Sequence, residues 1–231
     1  MIISRKLAAL CAFVAVAAIP AVSFANAPDP GGYISFFAGS STPQDTTVST
    51  TAYNPVTTKS ALVQFDPGIN IGGTAGYDFG FVRVEGELSY KEGEMNNVSE
   101  PTYGTHYVNV DGHVGAFSAM LNSFFDIHNQ SPVTPYLGGG MGFSSVSVST
   151  AKGVDANTGA LNYHIFNSDD AVAFAYQLGG GMDLALNRRL SLDVGYRYFG
   201  TSRASLSKDW PNSTDLKLAS HNATVGLRLK F

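Results

Sequence analysis

Charged side chains recur at alternate positions in several stretches of this 231-residue chain. Arg83, Glu85 and Glu87 form one series and Asp193 and Arg197 another, while Asp183 and Arg228 sit in two further stretches with the same rhythm. Acids and bases set this way can neutralise one another, fix a register or select ions, provided that a fold brings the series together. Their neighbours are as regular. Val82, Val84, Gly86, Leu88 and Tyr90 alternate with Arg83, Glu85, Glu87 and Ser89, and Leu190, Leu192, Val194, Tyr196 and Tyr198 alternate with Ser191, Asp193, Gly195 and Arg197. Successive side chains of a strand point to opposite faces, so the charges share one face and the apolar residues the other.

Other chemistry finds little support. The five histidines are His106, His113, His128, His164 and His221; HExxH is absent, and no two are spaced to share a helical face. Ser220 and His221 are strand neighbours that face opposite sides and cannot form a nucleophile–base pair directly. A His–Ser pair across two strands at the rim is left open. Asp155, Asn157 and Gly159 look like a calcium loop, but the position of its bidentate acid is Phe166. No catalytic residue, cofactor or metal is therefore expected.

The elements that must position the charges follow from the rest of the sequence. Arg5 and Lys6 precede an apolar run from Leu7 to Val22, then small residues at Ser23, Ala25 and Ala27, which is the pattern of a secretory signal peptide. Residues 1–25 are expected to be the signal, with Ala27 as the alternative cleavage site. Residues 26–231 then form one domain. Cys11 would leave with the signal, taking with it any thiol metal site or disulfide. Loss of Arg5 and Lys6 leaves 12 basic against 18 acidic residues, a balance that excludes a nucleic-acid partner.

No segment after the signal is apolar for the roughly 20 residues of a membrane helix. Five clear period-two strands appear at Ile69–Tyr77, Val82–Tyr90, Val172–Asp183, Leu190–Tyr198 and Ala223–Phe231. Three less regular ones are read at Gly32–Ser41, His106–Asp126 and Pro135–Ser149, the second with a bulge past Phe117. Segments Thr42–Asp66, Glu92–Thr105, Thr150–Asp169 and Gly200–Asp215 are long and rich in Ser, Thr, Asn, Asp and Pro, and the two longest, Thr42–Asp66 and Thr150–Asp169, carry little sheet patterning and are the candidates for partner contact. They alternate with compact links at Asp78–Gly80, Ile127–Thr134 and Ala185–Arg188. Long loops at one end and short turns at the other predict an all-β, eight-stranded antiparallel up-and-down transmembrane barrel, long loops outside the cell. Mean hydropathy of +0.03 agrees, because lipid-facing and lumenal residues cancel. Tyr77, Phe79, Phe81, Tyr90, Tyr136, Tyr196, Tyr198 and Phe199 are placed in interfacial aromatic girdles.

Arg83, Glu85, Glu87, Asp183, Asp193, Arg197 and Arg228 are thus expected to form a lumenal charge network, with Glu85 and Glu87 facing Arg197 and Arg228. Such a network either plugs the barrel or lines a narrow ion path. LGGGM, at Leu137–Met141 and Leu178–Met182, is expected to meet itself across two strands and give bulky neighbours room.

The stretches VRVEGELSY (Val82–Tyr90), SAMLNSFFDI (Ser118–Ile127), PYLGGGMGFS (Pro135–Ser144) and LSLDVGYRYFGT (Leu190–Thr201) resemble the Msp2/P44-type surface-antigen family. That family lies within the OmpA-like and opacity-protein outer-membrane barrels, and the likeness spans most of the mature chain. It implies a surface-exposed outer-membrane protein surrounded by lipid and lipopolysaccharide, with a host or cell-surface ligand contacted through the loops. Phe231, in phase with the apolar series, resembles the terminal signal read by the outer-membrane assembly machinery. No wall-binding domain is expected after it. A small porin and a lipid-modifying enzyme remain the rival readings.

Overall fold

The computed structural model describes residues 30–53, 56–100, 105–129, 131–159, 163–166, 168–206 and 212–231. The expected signal peptide lies outside the described residues. Fifteen strands and no helix occur among them: β1 (Gly31–Pro43), β2 (Thr46–Tyr53), β3 (Val56–Asp66), β4 (Gly68–Asp78), β5 (Val82–Glu100), β6 (Thr105–Asp111), β7 (His113–Asp126), β8 (Val133–Val148), β9 (Ala151–Asp155), β10 (Tyr163–Phe166), β11 (Asp169–Ala185), β12 (Leu190–Thr201), β13 (Ala204–Leu206), β14 (Asn212–Leu216) and β15 (Ala219–Lys230).

Eight of them close a ring. β1 pairs with β4, then β5, β7, β8, β11, β12 and β15 follow in order, and β15 returns to β1, every pair antiparallel. Closure removes the sheet edge, the condition for strands to cross a bilayer. The alternation places the residues as the sequence implies: Val84 and Leu88 are exposed, while Arg83, Glu85, Glu87 and Ser89 are buried. Phe36, Leu121, Met141, Phe143, Val172 and Leu227 continue an exposed apolar belt around the outside.

Three short turns join strands at the end where β1 begins and β15 finishes, and each contains an Asx residue whose side chain accepts from the backbone. The amide of Gly80, at φ 102°, donates to Asp78 at 2.8 Å, that of Ser131 to Asn129 at 2.8 Å, and that of Arg189 to Asn187 at 2.9 Å. Side chains that copy a backbone turn in this way explain why these links are compact. By the topology rule for such barrels this end is periplasmic.

The opposite end corrects the expectation of unpatterned loops. Thr42–Asp66 contains the β2–β3 hairpin, Glu92–Thr105 is largely an extension of β5, and the other two segments carry β9, β10, β13 and β14. β6 joins β5 to β9, and β14 joins β13 to β2, so the strands continue as a sheet beyond the bilayer. Thr- and Ser-rich sequence pairs readily when both faces are not apolar, which is why hydrophobic alternation did not reveal it.

The stretch His106–Asp126 is likewise two strands, broken at Gly112, where an added Cβ would press on Ala151 Cβ. β7 itself keeps unbroken register with β5 and β8, so there is no bulge past Phe117. Its phase looks ambiguous only because Met120 and Phe124, both apolar, face inward.

Candidate functional site

Titratable side chains from all parts of the ring converge in the lumen. Its strata follow from the shared phase of the strands. At the periplasmic end Lys230 Nζ donates to Asp78 at 2.8 Å, and Arg228 pairs with Asp183 and, at 3.3 Å, with Asp193. Tyr136 donates to Asp193 at 3.0 Å. Arg83, 1% exposed, binds Asp126 through Nε at 2.8 Å. Its terminal amino groups find no hydrogen-bond partner among the described residues, but the guanidinium lies 4.7 Å from the Tyr136 ring centroid and 5.6 Å from that of Phe124. The aromatic faces take the place of acceptors for this buried cation.

Above this layer Glu87 is the hub. It accepts from Arg197 at 2.5 Å, from Asn122 at 2.8 Å and from Gln177 at 2.8 Å. Glu85 accepts from Tyr33 at 2.7 Å and Asn122 at 3.2 Å, and lies 3.8 Å from Arg197. Arg197 therefore meets both glutamates, as the sequence suggests, whereas Arg228 meets the two aspartates instead. Pairing heights, set by register, decide this: Arg228 sits opposite Ser191, near the periplasmic end of β12, and Arg197 opposite Asn222, six residues farther along β15.

Next comes a thin layer of hydroxyls. Lys91 donates to Ser89 at 2.8 Å and lies 4.4 Å from the Phe199 ring centroid; Ser118 donates to Ser144 at 3.0 Å. Beyond it the interior turns apolar. Ala116, Met120, Val146, Ala175 and Phe199 join Val63, Met95, Val98 and Leu218 in one buried cluster that fills the outer half and reaches into the extension.

Sequence reasoning placed the seven charged residues on the inward face but missed several of their partners. Asp126, Tyr33 and Asn122 belong to strands whose phase was unclear. Lys91 and Lys230 continue the inward series of their strands and could have been found by extending them. Tyr136 and Phe199 are corrections: both were placed in the aromatic girdle, yet they are 4% and 0% exposed and face the lumen. A position near a strand end says nothing about which face the ring takes.

The two LGGGM runs do face one another, Gly138 opposite Gly179 and Gly139 opposite Leu178. Their use is close approach. An added Cβ at Gly140 would collide with Asn122 Oδ1 and the Leu121 carbonyl, and one at Gly181 would lie 2.5 Å from the Tyr136 hydroxyl. Gly140→Ala is expected to destabilise the folded barrel by about 1–3 kcal/mol, since the clash displaces Asn122 from both glutamates. The urea midpoint of the folded band on unheated gels measures it, and an unchanged midpoint would refute the packing argument.

A model of the outer membrane protein beta-barrel domain matches residues 9–231. The chain belongs to this family. Outer membrane protein PagN of Salmonella typhimurium is 28% identical over 186 residues, covering 71% of this chain and 74% of that protein. OprG of Pseudomonas aeruginosa superposes with a TM-score of 0.56 at 18% identity, over 87% of this chain and 96% of OprG. The Escherichia coli outer membrane protease OmpT gives a TM-score of 0.51 at 10% identity, over 91% of this chain and 99% of OmpT, a likeness of fold alone. The barrel is an outer-membrane protein, and its apolar wall faces outer-membrane lipid and lipopolysaccharide.

The histidines of this outer-membrane barrel are dispersed. His106 Nδ1 lies 3.1 Å from Ser99 Oγ across β5 and β6, a rim His–Ser pair, and no carboxylate joins it among the described residues. His221 bonds Tyr196 and Gln44, His113 is exposed, and His128 is in a periplasmic turn. The His164 side chain lies outside the described residues. Asp155 Oδ1 accepts the amides of Asn157 and Thr158, at 2.8 and 3.3 Å, which makes this segment an Asx-stabilised turn. The Asn157 amide holds the Asp155 carboxyl below the usual carboxylate range.

Proposed function

We propose that this outer-membrane barrel is a closed structural scaffold that presents its extracellular extension to a partner, as a surface antigen-like interaction protein and not as an enzyme. The observation that carries this reading is the filled interior: an ion-paired layer below, the Glu87 hub between, and an apolar cluster above. Charged groups taken from water hold one another in place and leave little for passing ions. The apolar layer adds a dry barrier, and small barrels generally have interiors filled by their own side chains. The resemblance to the Msp2/P44-type surface-antigen family supports the same reading. Phe231, 77% exposed and in the lipid-facing phase, is the segment offered to the assembly machinery.

The extension is where specificity resides, since connecting segments on a rigid barrel are free to vary. Replacing Thr42–Asp66 or Thr150–Asp169 by a short turn is expected to abolish binding to host cells while the heat-dependent gel shift of the folded barrel persists. Binding that survives both replacements would overturn the proposal. The rival small-porin reading is separated by planar-bilayer recording of the refolded mature chain. A folded but silent barrel is expected, and discrete reproducible conductance steps would favour the porin.

A further inference from the structure

One sector of the outer wall departs from the apolar belt. Along β12 the outward series runs Leu190, Leu192, Val194, Tyr196 and Tyr198, and along β15, read toward the outside, Leu229, Leu227, Val225, Ala223 and His221. β12 changes from aliphatic to aromatic at Tyr196 and β15 from aliphatic to polar one outward position later, at His221, which lies directly opposite Tyr198. Next to them β1 turns outward Ser40 and Thr42, with Thr42 also opposite His221.

These side chains are organised and not merely adjacent. Tyr196 Oη is 2.5 Å from His221 Nδ1, and His221 Nε2 is 2.8 Å from Gln44 Nε2. The rings of Tyr198 and His221 meet edge to face at 5.4 Å, and Tyr176 stands 6.5 Å from Tyr198. Just beyond the outer ends of these two strands, in the links that follow β12 and precede β15, come Arg203 and Lys217, both exposed and neither in an ion pair among the described residues. Of the acids on neighbouring segments, Asp45 receives a hydrogen bond from Gln64 on β3. On the β7–β8–β11 side Phe117, Phe143 and Val172 keep the wall apolar, and the outward residues beyond them on β8 and β11, Ser145, Ser147 and Asp170, supply no aromatic ring and no cation.

We propose that this β1–β15–β12 sector is a binding site for a phosphorylated glycolipid of the outer leaflet. Acyl chains pack on Val194, Val225 and the tyrosine rings. The Ser40, Thr42 and Gln44 side chains with His221 meet the sugar, and Arg203 and Lys217 take a phosphate. Aromatic rings sit at a membrane interface because one end is apolar and the other wet. Cations beyond them meet headgroup phosphates through charge-assisted hydrogen bonds. The occupant is a membrane lipid because the cations stand just beyond the ends of two strands whose outward faces meet hydrocarbon, and no soluble ligand would use the aliphatic part of the gradient.

The test is native mass spectrometry of the full mature barrel released from phosphatidylcholine vesicles doped with bisphosphorylated lipid A. Retention of one lipid A is expected, reduced about tenfold or more in Arg203→Gln/Lys217→Gln, as befits the loss of two charge-assisted contacts. Both replaced residues are exposed, so the gel shift should remain that of the folded barrel. Lipid A stripped of its phosphates, which needs no variant, should be retained as poorly by the unaltered protein. Equal retention of the stripped lipid, or of intact lipid A by the double variant, would overturn the proposal. So would displacement of lipid A by inorganic phosphate, which would make the site one for a free anion.

Discussion

Glu87→Ala is expected to destabilise the folded barrel by about 3–5 kcal/mol, the cost of leaving a buried charge without its partner. Glu87 holds Arg197 at 2.5 Å and also accepts Asn122 and Gln177, while Arg197 already has one buried, unbonded Nε. Glu85, at 3.8 Å, is too far from Arg197 to replace the lost hydrogen bond. Urea titration of the refolded barrel, followed by the heat-dependent gel shift, measures the loss. Glu87→Gln should cost less, because it keeps an acceptor for one of the three donors. Glu87→Leu with Arg197→Met should recover much of the difference, since replacing a whole buried ion pair by apolar groups is often close to neutral. Stability of the single alanine variant within about 1 kcal/mol of the parent would mean that water reaches Arg197 and the hub does not hold the lumen together.

Arg83→Ala is expected to cost a similar amount, about 3–5 kcal/mol, for a different combination of reasons. It strands Asp126, empties the space between Phe124 and Tyr136, and removes a cation whose acceptors are largely rings. Arg83→Lys separates these contributions. An ammonium can reach a carboxylate but cannot lie flat against two rings while keeping a second bond, so the lysine variant should recover only part of the stability. A double-mutant cycle with Asp126→Asn then isolates the ion pair from the stacking. Full rescue by lysine would show that charge alone matters at this position, and an unchanged alanine variant would show that neither interaction contributes.

Both variants act within the barrel wall, where strand phase was readable from the start. The series around Arg83, Glu85 and Glu87, around Asp193 and Arg197, and around Arg228 needs only period two and a closed sheet to become lumenal. Strands β4, β5, β11, β12 and β15 were legible for that reason, and the compact links between strands were legible from their length. Strands β1, β7 and β8 were less so, because a small barrel also buries apolar side chains. Once Met120, Phe124 and Phe199 point inward, hydrophobicity no longer distinguishes the lumen from the lipid face.

The sequence by itself determined the membrane-crossing alternation, the inward set of charges and the end at which the turns are tight. Each depends on neighbours along one strand or on local turn chemistry, which need no knowledge of what lies across the barrel. Only the tertiary structure decided which charges pair, because partners come from strands distant in sequence whose relative height is set by register. It also decided that the outer segments continue as sheet, that the upper lumen is apolar, and that Tyr196, Tyr198 and His221 stand beside Arg203 and Lys217 on one sector of the wall. Those outcomes depend on which strands become neighbours when the ring closes, and closure is a property of all eight strands together.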